Sequence, residues 1–229
     1  LGLLLFVSCG SRHKETIWKN GPGTRTELRY ARNITIERAN GYTVVRLINP
    51  WKQNAILHTY YLVDRDSRVD IPDDGTIVTV PLRRSVVFTT AHASLLEMLH
   101  TQKAIAGVAD LKYMVIPDIQ KRTRLKDGIA DCGNAMQPDV ERIIDLHSDA
   151  ILLSPFENSG GYGRLEETGI PIIECADYME RSALGRAEWM KFYGLLYGKK
   201  READSLFSVV EQNYMALSKK ARKSKAARS

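Results

Sequence analysis

The sequence predicts an α/β fold: a doubly wound parallel-sheet lobe, preceded by an antiparallel β front piece and followed by a long C-terminal backbone helix. Three observations carry this. Short β-rich runs, separated by turn signals, fill the first third of the chain. Continuous apolar runs then alternate with helical stretches, the texture of a parallel sheet buried on both faces. Apolar stripes at helical spacing close the chain.

The elements follow in order. Residues 33–37 alternate apolar and polar, and 42–48 form a β-rich run after Asn40-Gly41, a hairpin signal. Residues 56–63 read as a third strand. Pro72-Asp73-Asp74-Gly75 reads as another turn, with a strand over 77–80 behind it. These pieces make the antiparallel front piece, 24–80. The texture changes at Pro81. Residues 85–89 read as a buried strand, 93–100 as a helix, 104–108 as a short strand and 116–125 as a short helix and loop. A helix over 138–146 has Pro138 near its first turn. Residues 149–153 are another buried strand; 165–168 close a helix that Gly169 stops, and 170–174 are the next strand. The α/β lobe therefore spans 81–184. Residues 185–221 are helical throughout, with one stripe of Trp189, Phe192, Leu195 and Leu196 and a second of Leu206, Val209, Val210, Tyr214 and Leu217. Gly198 between them marks a break or bend.

A chain of 229 residues is long enough for one sizeable core, with or without a small appendage. Its net charge of +6 raises nucleic-acid binding as a possibility, and the placement of the charge argues against it. Six of the 33 basic residues lie between Lys219 and Ser229, which leaves 27 to balance the 27 acidic ones. The body is neutral, so no nucleic-acid partner is expected, and 222–229 reads as a solvated basic tail.

The first 23 residues read as a targeting segment. Leu1 to Val7 are apolar apart from Gly2, too short a run to span a bilayer and fitting the end of a signal-peptide core. Phe6-Val7-Ser8-Cys9 resembles a bacterial lipobox, with Phe6 where Leu is usual. Cys9 is the expected lipidation site and 10–23 a polar tether. The other cysteines, Cys132 and Cys175, are too far apart for a CxxC motif. They either pair in an oxidising compartment or stay as two separate buried thiols.

No catalytic set is readable. The sequence lacks GxSxG, HExxH and GxxxxGK[ST] motifs, and His13, His58, His92, His100 and His147 stand singly. Ligand chemistry is better represented. In an open parallel sheet, ligands lie beyond the carboxyl ends of the strands. The segments expected there are 89–94, 109–114, 131–136 and 154–162, which offer hydroxyls, one histidine, aromatics and an amide. Such a set suits a large, partly apolar ligand held by a few polar groups. Thr90, Ser94 and Asn158 serve equally as helix caps, and Ser159-Gly160-Gly161 is a common turn that could also cradle an anion.

The order of these pieces resembles the periplasmic-binding family for ferric siderophores, haem and cobalamin. Residues 84–90 look like the family's opening strand, 95–99 like its first helix and 106–109 like its second strand. Residues 138–152 resemble its run "N-x-E-x-I-x-x-L-x-P-D-L-V", and 165–173 resemble "L-x-x-x-G-I-P-V-V". The resemblance implies a substrate-binding lipoprotein of an ABC importer, set in the cell envelope, with no catalysis and no cofactor of its own. Its implied partners are an iron complex or cobalamin, the permease subunits, and the membrane through the lipid on Cys9. Ligand contacts are expected at His92, Tyr113, Asn134, Phe156, Glu157 and Tyr162. Glu141, in the "N-x-E-x-I" run, matches the position that docks on the permease; as a residue of a first helical turn it also suits the helix dipole. The family has two lobes joined by the backbone helix. The second lobe is missing from this chain, which is therefore expected to be a fragment, or a frameshifted or degenerate gene product. Two rivals stay open: a surface lipoprotein that captures haem or cobalamin without a permease, and a flavodoxin-like or chelatase-like enzyme.

Overall fold

The computed structural model describes residues 24–157 and 161–226, with side chains through Arg222. Cys9 and the tether lie outside the described residues, as do Asn158, Ser159 and Gly160.

The front piece is a five-stranded sheet in sequence order: β1 (Thr24–Thr26), β2 (Ile34–Ala39), β3 (Tyr42–Ile48), β4 (Ile56–Asp64) and β5 (Thr76–Val80). β2 and β3 form a hairpin in which Ala39 pairs with Tyr42. Gly41 in its two-residue loop has φ +86°, a conformation that glycine adopts without strain. The expected antiparallel order needs one correction, because β4 and β5 pair in parallel. Residues 65–75 form a crossover long enough to bring the chain back to the start of β4, where a tight turn would have reversed it.

The second sheet contains β6 (Ser85–Val87), β7 (Ile105–Val108), β8 (Ala130–Asp131), β11 (Ala150–Leu153) and β12 (Ile172–Glu174). Its order is β12-β11-β6-β7-β8, and every pair is parallel. The chain builds outward from β6 to one side, then returns to place β11 and β12 on the other. Connecting pieces are α1 (Thr90–Met98), α2 (Pro117–Arg122), the small hairpin of β9 (Gly133–Asn134) and β10 (Gln137–Pro138), and α3 (Val140–Asp145). Successive strand residues alternate faces. Val87, Leu152 and Ile173 join the large core with front-sheet residues such as Tyr60 and Leu62, with Leu96 of α1 and with Phe192. Val86, Ile151 and Leu153 join a smaller core with Val140 and Ile143 of α3.

Three expected elements are corrected. The α3 helix begins after Pro138, because the Asp139 side chain accepts from the Arg142 N–H at 3.0 Å and caps the helix there. Residues Gly163–Thr168 form a 3₁₀ turn rather than the end of an α-helix, although Gly169 does stop it, with φ +69°. The helical end is three pieces, α4 (Ala183–Glu188), α5 (Met190–Leu196) and α6 (Lys200–Ala226), and only α6 is long. Gly198 at φ +67° separates the last two. No described helix is long and apolar enough to cross a membrane.

The front sheet is joined to this body by buried carboxylates. Glu188 accepts from the backbone N–H groups of Arg29 (3.1 Å), Tyr30 (2.7 Å) and Ala31 (3.0 Å), and pairs with the Lys191 ammonium at 2.9 Å. Glu180 accepts from those of Arg32 (2.9 Å) and Asn33 (2.8 Å) and from Trp189 Nε1 (2.9 Å). Both glutamates are buried. Burial pushes the Glu188 carboxyl up, but the hydrogen bonds from Ala31, Tyr30, Lys191 and Arg29 outweigh it and hold the group below its usual range.

Candidate functional site

In a doubly wound sheet the strand order reverses at one place, and the two strands flanking it open a crevice at their carboxyl ends. Here those strands are β6 and β11, which are neighbours although the chain visits β7 and β8 between them. A cavity of about 570 Å³ lies at this place. Phe88 and Thr89, directly after β6, form its floor together with Leu153 and Ser154 at the end of β11. Residues 135–138 of the β9–β10 hairpin and Val140 of α3 form one side, and Phe156 and residues 161–165 form the other.

Local chemistry fixes these walls. Thr89 caps α1: its side chain accepts from the His92 N–H at 3.3 Å, which ends the strand and starts the helix at the cavity floor. The hairpin is held by short polar side chains. The Asn134 side-chain oxygen accepts from the Met136 N–H at 2.8 Å, and the Asp110 carboxylate accepts from the Ala135 N–H at 3.3 Å. This leaves the Met136 side chain outward, 74% exposed, over the cavity. Phe156, 48% exposed, stands on the other side. Tyr162 donates its hydroxyl to Glu174 at 2.6 Å, and its N–H donates to Glu166 at 2.7 Å. Burial, then the bond to Glu174, pushes the Tyr162 phenol up, so its proton stays on.

The structure brings two of the expected contact residues, Phe156 and Tyr162, to the cavity wall. Four others are elsewhere. His92 is 3% exposed, with Nδ1 2.8 Å from Thr89 Oγ1 and Nε2 3.2 Å from Asp177. It positions the floor from behind. Tyr113 lies on a 3₁₀ turn after β7, 62% exposed, with the Lys112 ammonium 4.7 Å over its ring. Asn134 uses its side-chain oxygen on its own hairpin. Glu157 is exposed beside Phe156 and does not line the cavity. Glu141 stands in the first turn of α3, exposed, and pairs with Arg164 at 2.9 Å.

Residues that the strand-end reading did not single out are Phe88, Thr89, Met136 and Leu153. The signal for three of them was present, since Phe88, Thr89 and Leu153 end the apolar runs flanking the reversal point. Cys132 and Cys175 are separate thiols, both buried. Burial pushes Cys132 up to about 12 and Cys175 well above its usual value, so neither is a thiolate at neutral pH. Among the described residues no group of three or more His, Cys, Asp or Glu is placed to hold a metal ion.

Residues 86–228 match a family model described as periplasmic binding protein. Two uncharacterized lipoproteins of Methanocaldococcus jannaschii are relatives: one is 26% identical over 213 residues, covering 81% of this chain and 50% of its own. The other is 25% identical over 177 residues, covering 74% and 43%. The chain thus spans about half the length of the curated relatives it matches. Among solved structures, a petrobactin-binding protein of Bacillus subtilis shares the fold, with a TM-score of 0.51 at 19% identity. That match covers 64% of this chain and 49% of the other.

Proposed function

With more than half of its residues matching the family model, the chain belongs to the periplasmic binding protein family, and from that premise we propose that it is the ligand-binding lobe of an envelope lipoprotein serving an ABC importer. The proposed cargo is an iron complex, a siderophore or haem, or a cobalamin-type macrocycle. One observation carries this reading: the cavity lies at the reversal point of the parallel sheet, inside the family-matching stretch, between Met136 and Phe156. Its lining is mainly apolar and aromatic, with hydroxyls at Thr89, Ser154 and Tyr162. Arg164 is the one cationic side chain among the described residues that line it, and Glu141 already pairs with that cation. A flat ring with few anionic groups fits this chemistry better than a small, densely charged ligand.

No bond-making step is proposed. The work is binding and delivery. Glu141, on the outer face of α3, is proposed to dock on a basic permease residue, exchanging its Arg164 partner for that one. Membrane attachment is proposed through Cys9, in keeping with the lipoprotein names of the relatives.

The test is isothermal titration of this chain with gallium protoporphyrin, a gallium trihydroxamate, a gallium triscatecholate and cyanocobalamin. Measurable but weak affinity for at least one, abolished by replacing Phe156 and Met136 with Ser together, supports the reading. The relatives are about twice as long, and one wall alone supplies only part of the contacts. Submicromolar affinity on this chain would contradict the need for a second wall, and binding that survives the double replacement would contradict the site.

A further inference from the structure

Tyr162 is the only aromatic hydroxyl among the described residues that line the cavity, and it is tied to the front sheet. Its proton goes to one oxygen of Glu174 at 2.6 Å. The other Glu174 oxygen is 3.0 Å from His58 Nδ1, on β4. His58 Nε2 is 2.8 Å from Thr76 Oγ1, on β5, and the imidazole stacks on Tyr60 with centroids 4.4 Å apart. One tautomer satisfies both contacts: Nδ1–H donates to the carboxylate, and Nε2 accepts from the threonine hydroxyl. The Tyr60 hydroxyl in turn accepts from the Glu174 N–H at 2.9 Å and donates to the Ile172 carbonyl at 3.0 Å, closing the free edge of β12. Glu174 is buried. A buried carboxylate with this many fixed partners holds one geometry.

The consequence falls on the ligand wall. A phenol has one proton, and here it is donated to Glu174, so a ligand against Tyr162 meets its ring and, at the hydroxyl, finds only lone pairs. Behind it stands a negative charge. We propose that Glu174, held by the front sheet through His58 and Tyr60, is a positioning residue that makes the Tyr162 part of this wall an acceptor surface, beside an Arg164 cation already paired with Glu141. It selects ligands presenting an N–H or O–H edge over ligands presenting a carboxylate. This rests on the reading of the cavity as the ligand site. It also gives the front sheet, which precedes the family-matching residues, a part in specificity.

Two measurements separate the claims. In proton NMR of the whole chain, the Tyr162 hydroxyl proton is expected as a slowly exchanging downfield resonance, identified by its absence in Tyr162→Phe. It should persist in Glu174→Gln, whose carbonyl still accepts, disappear in Glu174→Met, and shift or broaden in His58→Leu. Persistence in Glu174→Met, or no effect of His58→Leu, overturns the positioning claim without any ligand. Should Glu174→Met fail to fold, His58→Leu carries the same test while leaving the β12 edge bonds in place. The second measurement compares gallium protoporphyrin with its diamide. Wild type should prefer the diamide about tenfold, a preference retained in Glu174→Gln and reduced to about twofold in Glu174→Met. An unchanged ratio in Glu174→Met overturns the specificity claim. Failure of both porphyrins to bind wild type counts against the ligand reading of the cavity, and the hydroxyl resonance still decides the positioning.

Discussion

The parallel sheet is packed on both faces by apolar side chains, whereas the front sheet, which shares the larger apolar core, is also fastened to its neighbours by buried carboxylates. On the parallel sheet, Val86, Ile151 and Leu153 meet Val140 and Ile143 of α3, and Val87, Leu152 and Ile173 face the larger core. At the joint with the front sheet, Glu180 and Glu188 take the backbone N–H groups of residues 29–33, and Glu174 takes His58. Apolar packing is non-directional and tolerates volume-conserving changes. A buried carboxylate with several donors is directional, and losing it leaves each donor without a partner. The polar joint should therefore respond to single replacements more sharply than the apolar lobe.

The largest effect is expected at Glu188. Replacing it by Ala strands three backbone donors and the Lys191 ammonium, and should cost about 3–5 kcal/mol in urea unfolding. A loss below about 1 kcal/mol would break the contrast between the two regions. The same carboxyl sets a pH signature. Its folded-state pKa lies below the usual 4.5, so its stabilisation is complete above that value and is lost as pH falls beneath it. Wild type should lose stability more steeply below pH about 4.5 than Glu188→Gln does.

Next in size is Gly107→Ala on β7. A Cβ there would stand 2.6 Å from Cys132 Sγ and 2.7 Å from Leu146 Cδ1, which is overpacking worth about 1–3 kcal/mol in thermal unfolding. Tyr60→Phe removes both bonds that close the β12 edge and should cost about 1–2 kcal/mol, while keeping the ring packed against Phe192. The smallest effect is expected for Glu141→Ala. It breaks an exposed pair with Arg164 and should change stability by less than about 0.5 kcal/mol. If docking is its role, uptake measured in cells carrying the full transporter falls while the unfolding curve does not move.

The two regions also differ in how far their sequences could be read. Strands β6, β11 and β12 were legible because a sheet buried on both faces needs continuous apolar runs, and few other structures do. The parallel pairing of β5 was not. The turn signal at Pro72-Asp73-Asp74-Gly75 marks where the chain bends, but not that residues 65–75 carry it back past β4 first. At the helical end, Gly198 was readable as a break, while the division between α4 and α5 at Trp189 leaves no glycine or proline to signal it. Strand ends point to the segments that hold Phe156 and Tyr162, both of which line the cavity. They could not say which side chains turn inward. His92 looks like a ligand contact in sequence, yet it faces Asp177, some 85 residues away, behind the floor. Glu174, Glu180 and Glu188 look like ordinary surface charge, because the partners that tie them to the front of the chain, His58, Asn33 and Ala31, are more than 100 residues distant.

The central claim is that ligand occupies the cavity between the carboxyl ends of β6 and β11. Methyl NMR of the six methionines, with gallium protoporphyrin added, tests it most directly. Met136 alone among them lines that cavity, Met98 and Met215 are exposed elsewhere, Met179 is half-buried, and Met114 and Met190 are buried. A ring-current shift at the Met136 methyl, with Met98 and Met215 unmoved, is the predicted result. A shift at Met215 or Met98 with Met136 unchanged would place the ligand elsewhere and contradict the account.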